Sequence, residues 1–508
     1  MANRTQNATR NIIWGIANKL STLFIPFIVR TVMIYSLGSE YLGLNSLFTS
    51  ILQVLSLAEL GVGSAMVYAM YRPVAENDTD TICALLKLYR TMYRIIGLII
   101  VAAGIVLMPF LRYFISGDIP SDVNLYVLFV IYIINTAGSY FLHGYQVSVL
   151  NAHQRNDISS KVFMVVSTLK SLIQIVILLV FKSYYAYVIL VPVTTITANV
   201  ITAHLARNMY PQYVCRGTVP AELSKKIKEK VIALFAVKIT TVIYNSVDSI
   251  VISAFLGLVV LAKYNNYYYI MNALTSVVVV VFSSITSTIG NSIITETPEK
   301  NYRDYMNLSF INAWIIGWFT VCLFCLYQPF MKLWVGESLM FDQKMVLCFC
   351  LYFYVHQLKS VQSAYKDAAG LWKEDMWRSY AANIFNLCVN LLLVQKIGVY
   401  GVLISTILAL LVVTYPWQTW MIHRKLFLCS MKPYLAHLGV YTLATFGTGL
   451  ITFKLCGFVA GDGIGAFLLQ IMICAIIPNL VFLALAFRTE EFSLFVNLLK
   501  RVVKKVKL

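Results

Sequence analysis

Long apolar segments, separated by short polar gaps, follow one another along the whole chain. A helix needs roughly 20 mainly apolar residues to cross a bilayer, and about fourteen segments meet that length. The predicted helices lie at about 11–37, 42–70, 83–115, 122–150, 159–181, 184–208, 225–256, 262–292, 304–331, 343–369, 375–396, 399–423, 434–456 and 463–487. The segments are too long and too continuous for a membrane β-barrel, whose strands alternate over about 10 residues. The pattern predicts an all-α polytopic membrane protein.

Composition supports this prediction. Of 508 residues, 59% are hydrophobic and only 12% are charged, about half the charged fraction of a soluble domain. Most of the molecular surface must therefore face lipid. The formal net charge is +18, but the basic residues fall in short gaps between apolar segments. This placement indicates membrane topology, and no nucleic-acid partner is expected.

The distribution of basic residues predicts the orientation. With the N-terminus inside, the cytoplasmic gaps carry about 25 Lys and Arg and the outside gaps about 7, which follows the positive-inside rule. Both termini are therefore expected in the cytoplasm. The first apolar segment begins near Asn11 and is too long for a cleavable signal, so it is interpreted as a membrane helix. Residues 488–508 are predicted to form a basic amphipathic helix on the cytoplasmic membrane surface, with a solvated tail as the alternative.

An internal repeat is predicted from matching segments 219 residues apart. Lys19-Leu-Ser-Thr22 resembles Lys238-Ile-Thr-Thr241, and each precedes an apolar run that ends in Leu-Gly. Helices 1–6 and 7–12 would then be two copies in the same orientation, although apolar helices also share residues by coincidence. The predicted organisation is an N-terminal lobe (1–208), a basic linker (209–224), a C-terminal lobe (225–425), a helix pair (426–487) and the tail.

Charged residues inside predicted helices are the main candidates for function, since a charge in the membrane is costly unless it faces a cavity or a partner. The bases in question are Lys19, Arg30, Lys170, Lys238 and Lys359. We expect them to line a cationic cavity between the lobes that holds an anionic group such as pyrophosphate. The alternative is structural pairing with buried acids, and Lys170 and Lys359 could also extend to the membrane surface.

The acids and cysteines within the helices have fewer candidate roles. Asp248 is the candidate for coupling to Na⁺ or H⁺, or it neutralises a neighbouring base. Glu59 is expected to pair with Arg90 or Arg94 as structural support. Cys322 and Cys325 are interpreted as small core residues, and neither a metal site nor a cofactor is predicted.

Motifs for catalysis are not found, and the polar gaps are at most about 16 residues long, too short for the soluble lobe that membrane enzymes usually need. We therefore expect no enzymatic activity. Two fused six-helix lobes are instead typical of transporters that work by alternating access.

Several loose, mainly apolar motifs resemble those of polysaccharide repeat-unit flippases of the Wzx type, within the multidrug/oligosaccharidyl-lipid/polysaccharide (MOP) exporter superfamily. The motifs span about 420 residues, from helix 1 to helix 12. They are Leu37-Gly38-Ser-Glu-Tyr-Leu-Gly43-Leu, Leu57-Ala-Glu-Leu-Gly61-Val-Gly63-Ser-Ala65, Tyr244-Asn-Ser-Val-Asp248-Ser-Ile-Val-Ile-Ser253, Tyr264-Asn-Asn-Tyr267, Ala369-Gly370-Leu-Trp-Lys-Glu-Asp375 and Gly398-Val-Tyr-Gly401-Val.

The resemblance implies two six-helix lobes and two extra C-terminal helices in a bacterial cytoplasmic membrane. It implies export of an undecaprenyl-pyrophosphate-linked oligosaccharide to the outer leaflet, with Lys19, Arg30 and Lys238 fitting the pyrophosphate by position. A polysaccharide polymerase and glycosyltransferases would be partners, and the chain would act as a monomer among membrane lipids. The alternatives are a lipid II flippase, a cation-coupled multidrug exporter and a non-transporting partner of polysaccharide enzymes.

Overall fold

The computed structural model describes residues 2–59, 61–461, 463–489 and 491–493, and in these residues the only regular secondary structure is helical. The α-helices are α1 (Ala2–Ser36), α2 (Ser39–Leu55), α3 (Val62–Glu76), α4 (Thr79–Leu107), α5 (Leu125–Phe141), α6 (Val147–Ala152), α7 (Asn156–Val176), α8 (Tyr184–Met209), α9 (Ala221–Leu256), α10 (Leu258–Thr295), α11 (Pro298–Val335), α12 (Gln343–Leu358), α13 (Ser360–Ala368), α14 (Trp372–Ile397), α15 (Val399–Leu408), α16 (Tyr415–Ile422), α17 (Lys432–Gly457) and α18 (Ile464–Ala486). The predicted all-α membrane fold is confirmed. The surface helix predicted for 488–508 lies largely outside the described residues.

Eleven helices of the described chain are long and apolar enough to cross a membrane, or twelve if the bent pair α5–α6 is one span. The difference from fourteen has a physical origin. Three predicted spans are broken helices in the structure: α2 and α3, α5 and α6, and α12 and α13. Hydrophobicity alone predicted each as continuous, because a break of a few residues hardly changes the average over a 20-residue window.

Packing divides the chain into two compact units, residues 1–262 and 263–508. In the first unit, α9 packs against α2 and α3. In the second, α11 packs against α12, α17 and α18, so the C-terminal helix pair is part of that unit. The lobe boundaries on either side of the basic linker at 209–224 stay a prediction.

Helices α1 and α7 pack in parallel within the first unit. The side chains of Ser21 and Thr168 lie 3.3 Å apart between hydroxyl oxygens, and Lys161 Nζ lies 4.5 Å from the centre of the Trp14 ring. Both contacts join residues 147 positions apart, so the two helices keep one register over at least two turns. Helix α1 continues through Pro26, although proline removes one backbone hydrogen bond from a helix.

Residues 151–157 at the start of α7 and 370–376 at the start of α14 are separated by the same 219 positions as the predicted repeat, and the two turns share a physical feature. Asp157, in the first turn of α7, is fully buried and accepts hydrogen bonds from Arg155 at 2.9 and 3.3 Å. Asp375, in the first turn of α14, is also buried and accepts from Arg378 at 2.5 and 2.8 Å. A carboxylate in the first turn is favoured by the helix dipole. The internal repeat itself stays a prediction.

Candidate functional site

A polar cavity of about 810 Å³ lies within the first unit. It is bounded by α3, α4, α5, α8, α9 and the segment that joins α5 to α7. Its lining residues include four tyrosines, three asparagines, one acid and one base: Tyr68, Tyr71, Tyr89, Tyr93, Asn151, Asn156, Asn199, Glu59 and Lys238. Small-molecule sites occupy about 300–1,000 Å³, so the cavity can hold a polar head group.

The break between α2 and α3 forms one edge of the cavity. A short 3₁₀ turn, Ser56–Glu59, follows α2, and Gly61 then adopts a left-handed φ of 94° before α3 begins. A Cβ atom on Gly61 would lie 2.6 Å from Cβ of Leu234. Only glycine therefore allows both this backbone turn and the close approach of α9. The break turns Glu59 towards the cavity.

Glu59 is held by a chain of tyrosine hydroxyls. Tyr89 donates to Tyr93 at 2.7 Å, Tyr93 donates to Glu59 Oε1 at 2.8 Å, and Tyr140 donates to Glu59 Oε2. Among the described residues Glu59 forms no ion pair, so the expectation that it pairs with Arg90 or Arg94 is wrong. Its two oxygens are instead satisfied by neutral donors on α4 and α5, which ties the α2–α3 break to both helices.

Replacing Glu59 by glutamine is expected to destabilise the protein by about 1–3 kcal/mol, the cost of leaving a largely buried polar group without its partner. A glutamine side chain offers one oxygen acceptor, whereas Tyr93 and Tyr140 each need one. The apparent unfolding temperature of the detergent-solubilised protein measures the effect.

The matched control is Glu76→Gln, because Glu76 forms an exposed ion pair with Arg72 on α3 at 2.8 Å. Exposed pairs contribute little to stability, so this variant should unfold at the wild-type temperature. Equal unfolding temperatures for wild type and Glu59→Gln would show that the tyrosine contacts do not stabilise the fold.

Lys238 is the predicted basic residue that lines this cavity. Its Nζ lies 3.3 Å from the hydroxyl oxygen of Ser64 on α3 and donates to it. Lys230, two turns earlier on α9, places its Nζ 2.8 Å from the centre of the Tyr68 ring. Two positive charges on one helix thus meet the cavity side of α3, where an anionic ligand would find donors.

Three other predicted bases lie on the α1–α7 pair and are not among the residues that line the cavity. Lys19 is exposed, and Arg30 and Lys170 are partly buried. By the register of the pair, Lys170 is level with Leu23 of α1, so the three charges are spaced by about 6 and 10 Å along the helix axes. Arg30 lies within electrostatic range of Tyr187 on α8. The structure therefore separates this basic row from Lys238.

Lys359 lies in the second unit, at the junction of α12 and α13. It is within electrostatic range of Asp375, Arg378 and Lys366. Asp375 accepts a hydrogen bond from Arg378, and the Nζ of Lys366 lies 3.6 Å from Oδ2 of Asp375. Lys359 thus belongs to a charged cluster at the start of α14, an environment typical of structural pairing.

Asp248 is partly buried on α9. The neighbouring Thr241 and Asn245 are exposed, whereas the serines Ser246 and Ser253 are fully buried. Ser246 donates to Gln53 of α2 at 3.1 Å, between Oγ and Oε1. The polar residues of α9 therefore lie on two faces. Small buried serines form the face that packs on α2, and the larger polar side chains lie on a more exposed face.

The second unit contains an apolar groove of about 430 Å³ between α11, α17 and α18. Its walls are almost entirely aromatic and aliphatic: Phe310, Ala313, Trp314, Val440, Leu443, Ala444, Phe482 and Leu485. His437 and Glu491 lie at its polar margin. Such a groove suits a hydrocarbon chain.

Sequence reasoning missed the tyrosines and asparagines of the cavity. These residue types carry no charge penalty in a membrane helix, so their positions gave no signal apart from an overall count of 32 Tyr. A second group was also missed: Cys325, Cys456 and Cys474 converge in the second unit. They lie on three helices far apart in sequence, and no spacing motif connects them.

The fold is shared with solved structures of a flippase and of transporters. The lipid II flippase MurJ in an inward closed conformation matches with a TM-score of 0.66 and 15% identity, over 94% of this chain and 99% of that chain. An inward-facing multidrug resistance MATE family transporter matches with a TM-score of 0.60 and 15% identity, over 80% and 94%. The Vibrio cholerae MATE transporter VcmN in the bent form matches with a TM-score of 0.53 and 13% identity, over 84% and 98%.

The chain belongs to the polysaccharide biosynthesis protein family, whose model matches residues 8–289. No curated protein sequence matches the chain. The solved structures compared above are those of a flippase and of transporters, and the likeness shows a shared fold.

Proposed function

We propose that this protein moves an undecaprenyl-pyrophosphate-linked oligosaccharide from the cytoplasmic to the outer leaflet of a bacterial cytoplasmic membrane by alternating access. The observation that carries the proposal is the polar cavity of the first unit, where Lys238 and a set of neutral hydrogen-bonding side chains meet. Membership of the polysaccharide biosynthesis family supports a lipid-linked sugar as the cargo.

The cavity matches the chemistry of a glycosylated pyrophosphate. A lysine ammonium is a compact positive charge with three donors, suited to phosphate oxygens. Tyr68, Tyr71 and Asn199 offer hydroxyls, amides and aromatic faces, the groups that bind sugar hydroxyls and sugar rings without fixed charge. The cavity thus offers one positive charge at Lys238, many neutral donors, and one carboxylate, Glu59, whose two oxygens already accept hydrogen bonds from two tyrosine hydroxyls. This set fits a head group that is anionic only at its pyrophosphate.

The lipid part of the cargo needs an apolar path. A prenyl chain gains free energy by staying in contact with hydrocarbon or apolar side chains, at about 0.8 kcal/mol for each CH₂ kept from water. We propose that this chain stays in the bilayer while the head group occupies the polar cavity of the first unit.

The remaining predicted bases complete the proposal. Lys19, Lys170 and Arg30, spaced along the α1–α7 pair, would offer the pyrophosphate successive contacts as the protein changes conformation. Lys359, in the charged cluster at the start of α14, would be a further contact for the anionic head group. Asp248 would bind the coupling Na⁺ or H⁺. The protein would work as a monomer with both termini in the cytoplasm, supplied by glycosyltransferases and followed by a polymerase.

Two other cargoes are consistent with the fold. A lipid II flippase would use the same pyrophosphate chemistry, and a multidrug exporter of the MATE type would carry organic cations. Lys238 in the cavity wall and Lys230 over the Tyr68 ring outnumber the one lining carboxylate, Glu59, and therefore favour an anionic over a cationic cargo, because like charges repel most strongly in a poorly hydrated site. A non-transporting assembly partner has no need for a polar cavity of this size.

The test is translocation in proteoliposomes. Purified protein is reconstituted with a fluorescent undecaprenyl-pyrophosphate oligosaccharide, and its appearance in the opposite leaflet is followed by access of a membrane-impermeant quencher or lectin. We expect a protein-dependent rate at least tenfold above that of empty liposomes. Parallel samples contain labelled lipid II or a cationic dye.

The comparison of cargoes decides between the alternatives. Transport of lipid II alone would identify a peptidoglycan-precursor flippase, and efflux of dye with no movement of either lipid would identify a drug exporter. Movement of none of the three, by protein that elutes as a folded monomer, would contradict the transport proposal.

A further inference from the structure

Three cysteines from three helices meet in the second unit. They are Cys325 on α11, Cys456 near the end of α17 and Cys474 on α18, and each is at most 4% exposed. Their sulfur atoms all lie within 4.8 Å of one another, and the sulfurs of Cys456 and Cys474 are 3.8 Å apart. This thiol cluster lies where the C-terminal helix pair packs on α11.

The backbone around the cluster is fixed by hydrogen bonds. The carbonyl oxygen of Cys474 accepts from the Trp318 ring at 2.9 Å and from the Cys322 thiol at 3.7 Å. The carbonyl oxygen of Cys456 accepts from Gln470 at 3.4 Å. Cys322 thus directs its sulfur to a backbone group and is separate from the cluster, and the three clustered thiols are held in position by their neighbours.

We propose that the thiol cluster binds one soft monovalent cation, of which Cu(I) is the biological example. Thiolate ligands select soft ions such as Cu(I). A metal–sulfur distance of about 2.3 Å places three sulfurs in a trigonal plane about 4.0 Å apart, which is close to the spacing observed here. Zn²⁺ is a poorer fit, since its structural sites use four protein ligands and this group of the described residues offers three.

The number of thiols that lose a proton on metal binding depends on the apolar surroundings, which include Val321, Phe324 and Ile473. Metal ligation requires thiolates, and each thiolate formed releases one proton. Two thiolates and one protonated thiol around Cu(I) release two protons and leave a net charge of −1. A third deprotonation would leave −2 in a medium of low dielectric, which is costly. Binding should therefore strengthen as pH rises and release about two protons.

Bound metal would tie α11, α17 and α18 together. A ligand that binds the folded state alone raises its stability, and this site joins the C-terminal helix pair to the body of the second unit. The inference is independent of the proposed transport function, because it involves neither the polar cavity nor the basic residues.

The experiment is an anaerobic titration of the reduced, full-length protein with Cu(I) held by a chromophoric competitor such as bicinchoninate. We expect one Cu(I) per chain, and X-ray absorption at the copper edge showing two thiolate sulfurs at about 2.3 Å and the third sulfur at the same or a longer distance. Cu(I) should raise the unfolding temperature by several degrees. It should also protect three of the ten cysteines from alkylation, mapped by mass spectrometry to the cluster.

Single substitutions test the assignment. Cys325→Ser, Cys456→Ser and Cys474→Ser should each weaken Cu(I) binding at least a hundredfold. Cys350→Ser is the matched control, because Cys350 is equally buried on α12 but lies outside the cluster. A stoichiometry well below one, or copper bound by fewer than two sulfurs in the wild-type protein, would overturn the proposal even if the serine variants fail to fold.

Discussion

Replacing Lys238 by alanine is expected to lower the rate of lipid-linked oligosaccharide translocation by roughly ten- to a hundredfold at subsaturating substrate. A hydrogen bond to a charged group contributes about 1.5–3 kcal/mol, and each 1.4 kcal/mol corresponds to a factor of ten. Lys238 lines the polar cavity, and its Nζ donates to the hydroxyl of Ser64 in the cavity wall. Its loss removes charge from the site proposed for the pyrophosphate.

Lys238→Arg should keep most of the activity, because a guanidinium also binds phosphate oxygens. The matched control is Lys226→Ala on the same helix, since Lys226 is exposed and paired with Glu222 at 2.7 Å. The proteoliposome assay measures all three variants at equal protein density. A wild-type rate for Lys238→Ala, combined with a loss for Lys19→Ala or Arg30→Ala, would move the proposed pyrophosphate site from the cavity to the α1–α7 pair.

Replacing Gly43 by alanine is expected to cost about 3 kcal/mol or more in stability, at the upper end of the range for overpacked cores. A Cβ atom at this position would lie 2.3 Å from the carbonyl oxygen of Leu258 and 2.8 Å from its carbonyl carbon. The obstacle is backbone, so no side-chain rotation relieves it. The start of α10 would have to move away from α2. The yield of monodisperse protein and its unfolding temperature should both fall.

Gly439→Ala is the control for this prediction. Gly439 lies in α17, is exposed, and has no atom within 4 Å of the position of an added Cβ. Alanine in a helix is favoured over glycine by about 0.5–1 kcal/mol, so this variant should be as stable as wild type or slightly more stable. Equal stability of the Gly43 and Gly439 variants would mean that α2 and α10 do not approach as closely as described.

The sequence motifs that resemble those of the flippase family can be explained by contacts between helices. Leu37-Gly38-Ser-Glu-Tyr-Leu-Gly43 contains the glycine that allows α2 to meet the start of α10. The motif that contains Gly61 forms the break between α2 and α3 and the edge of the cavity. The motifs were therefore good indicators of family because they encode helix contacts. They gave little information about cargo, since no charged group of the cavity except Glu59 lies within them.

The structure places the predicted charged side chains in three separate environments. Lys238 lines a polar cavity, but Lys19, Arg30 and Lys170 lie on another helix pair and Lys359 lies in a charged cluster of the second unit. Helical periodicity states which face of a helix a residue occupies, but not which helix that face meets. Glu59 illustrates the same limit, because its partners are tyrosines on α4 and α5 rather than the arginines expected as structural support.

The sequence by itself determined that this is an all-α membrane protein, because hydrophobic length and low charge leave a chain no other way to satisfy its backbone hydrogen bonds in lipid. Tertiary structure decided where three of the spans break, which polar side chains share a cavity, and that three distant cysteines meet. These features depend on contacts between helices that are neighbours in space but not in sequence. No local pattern of hydrophobic and polar positions records such contacts.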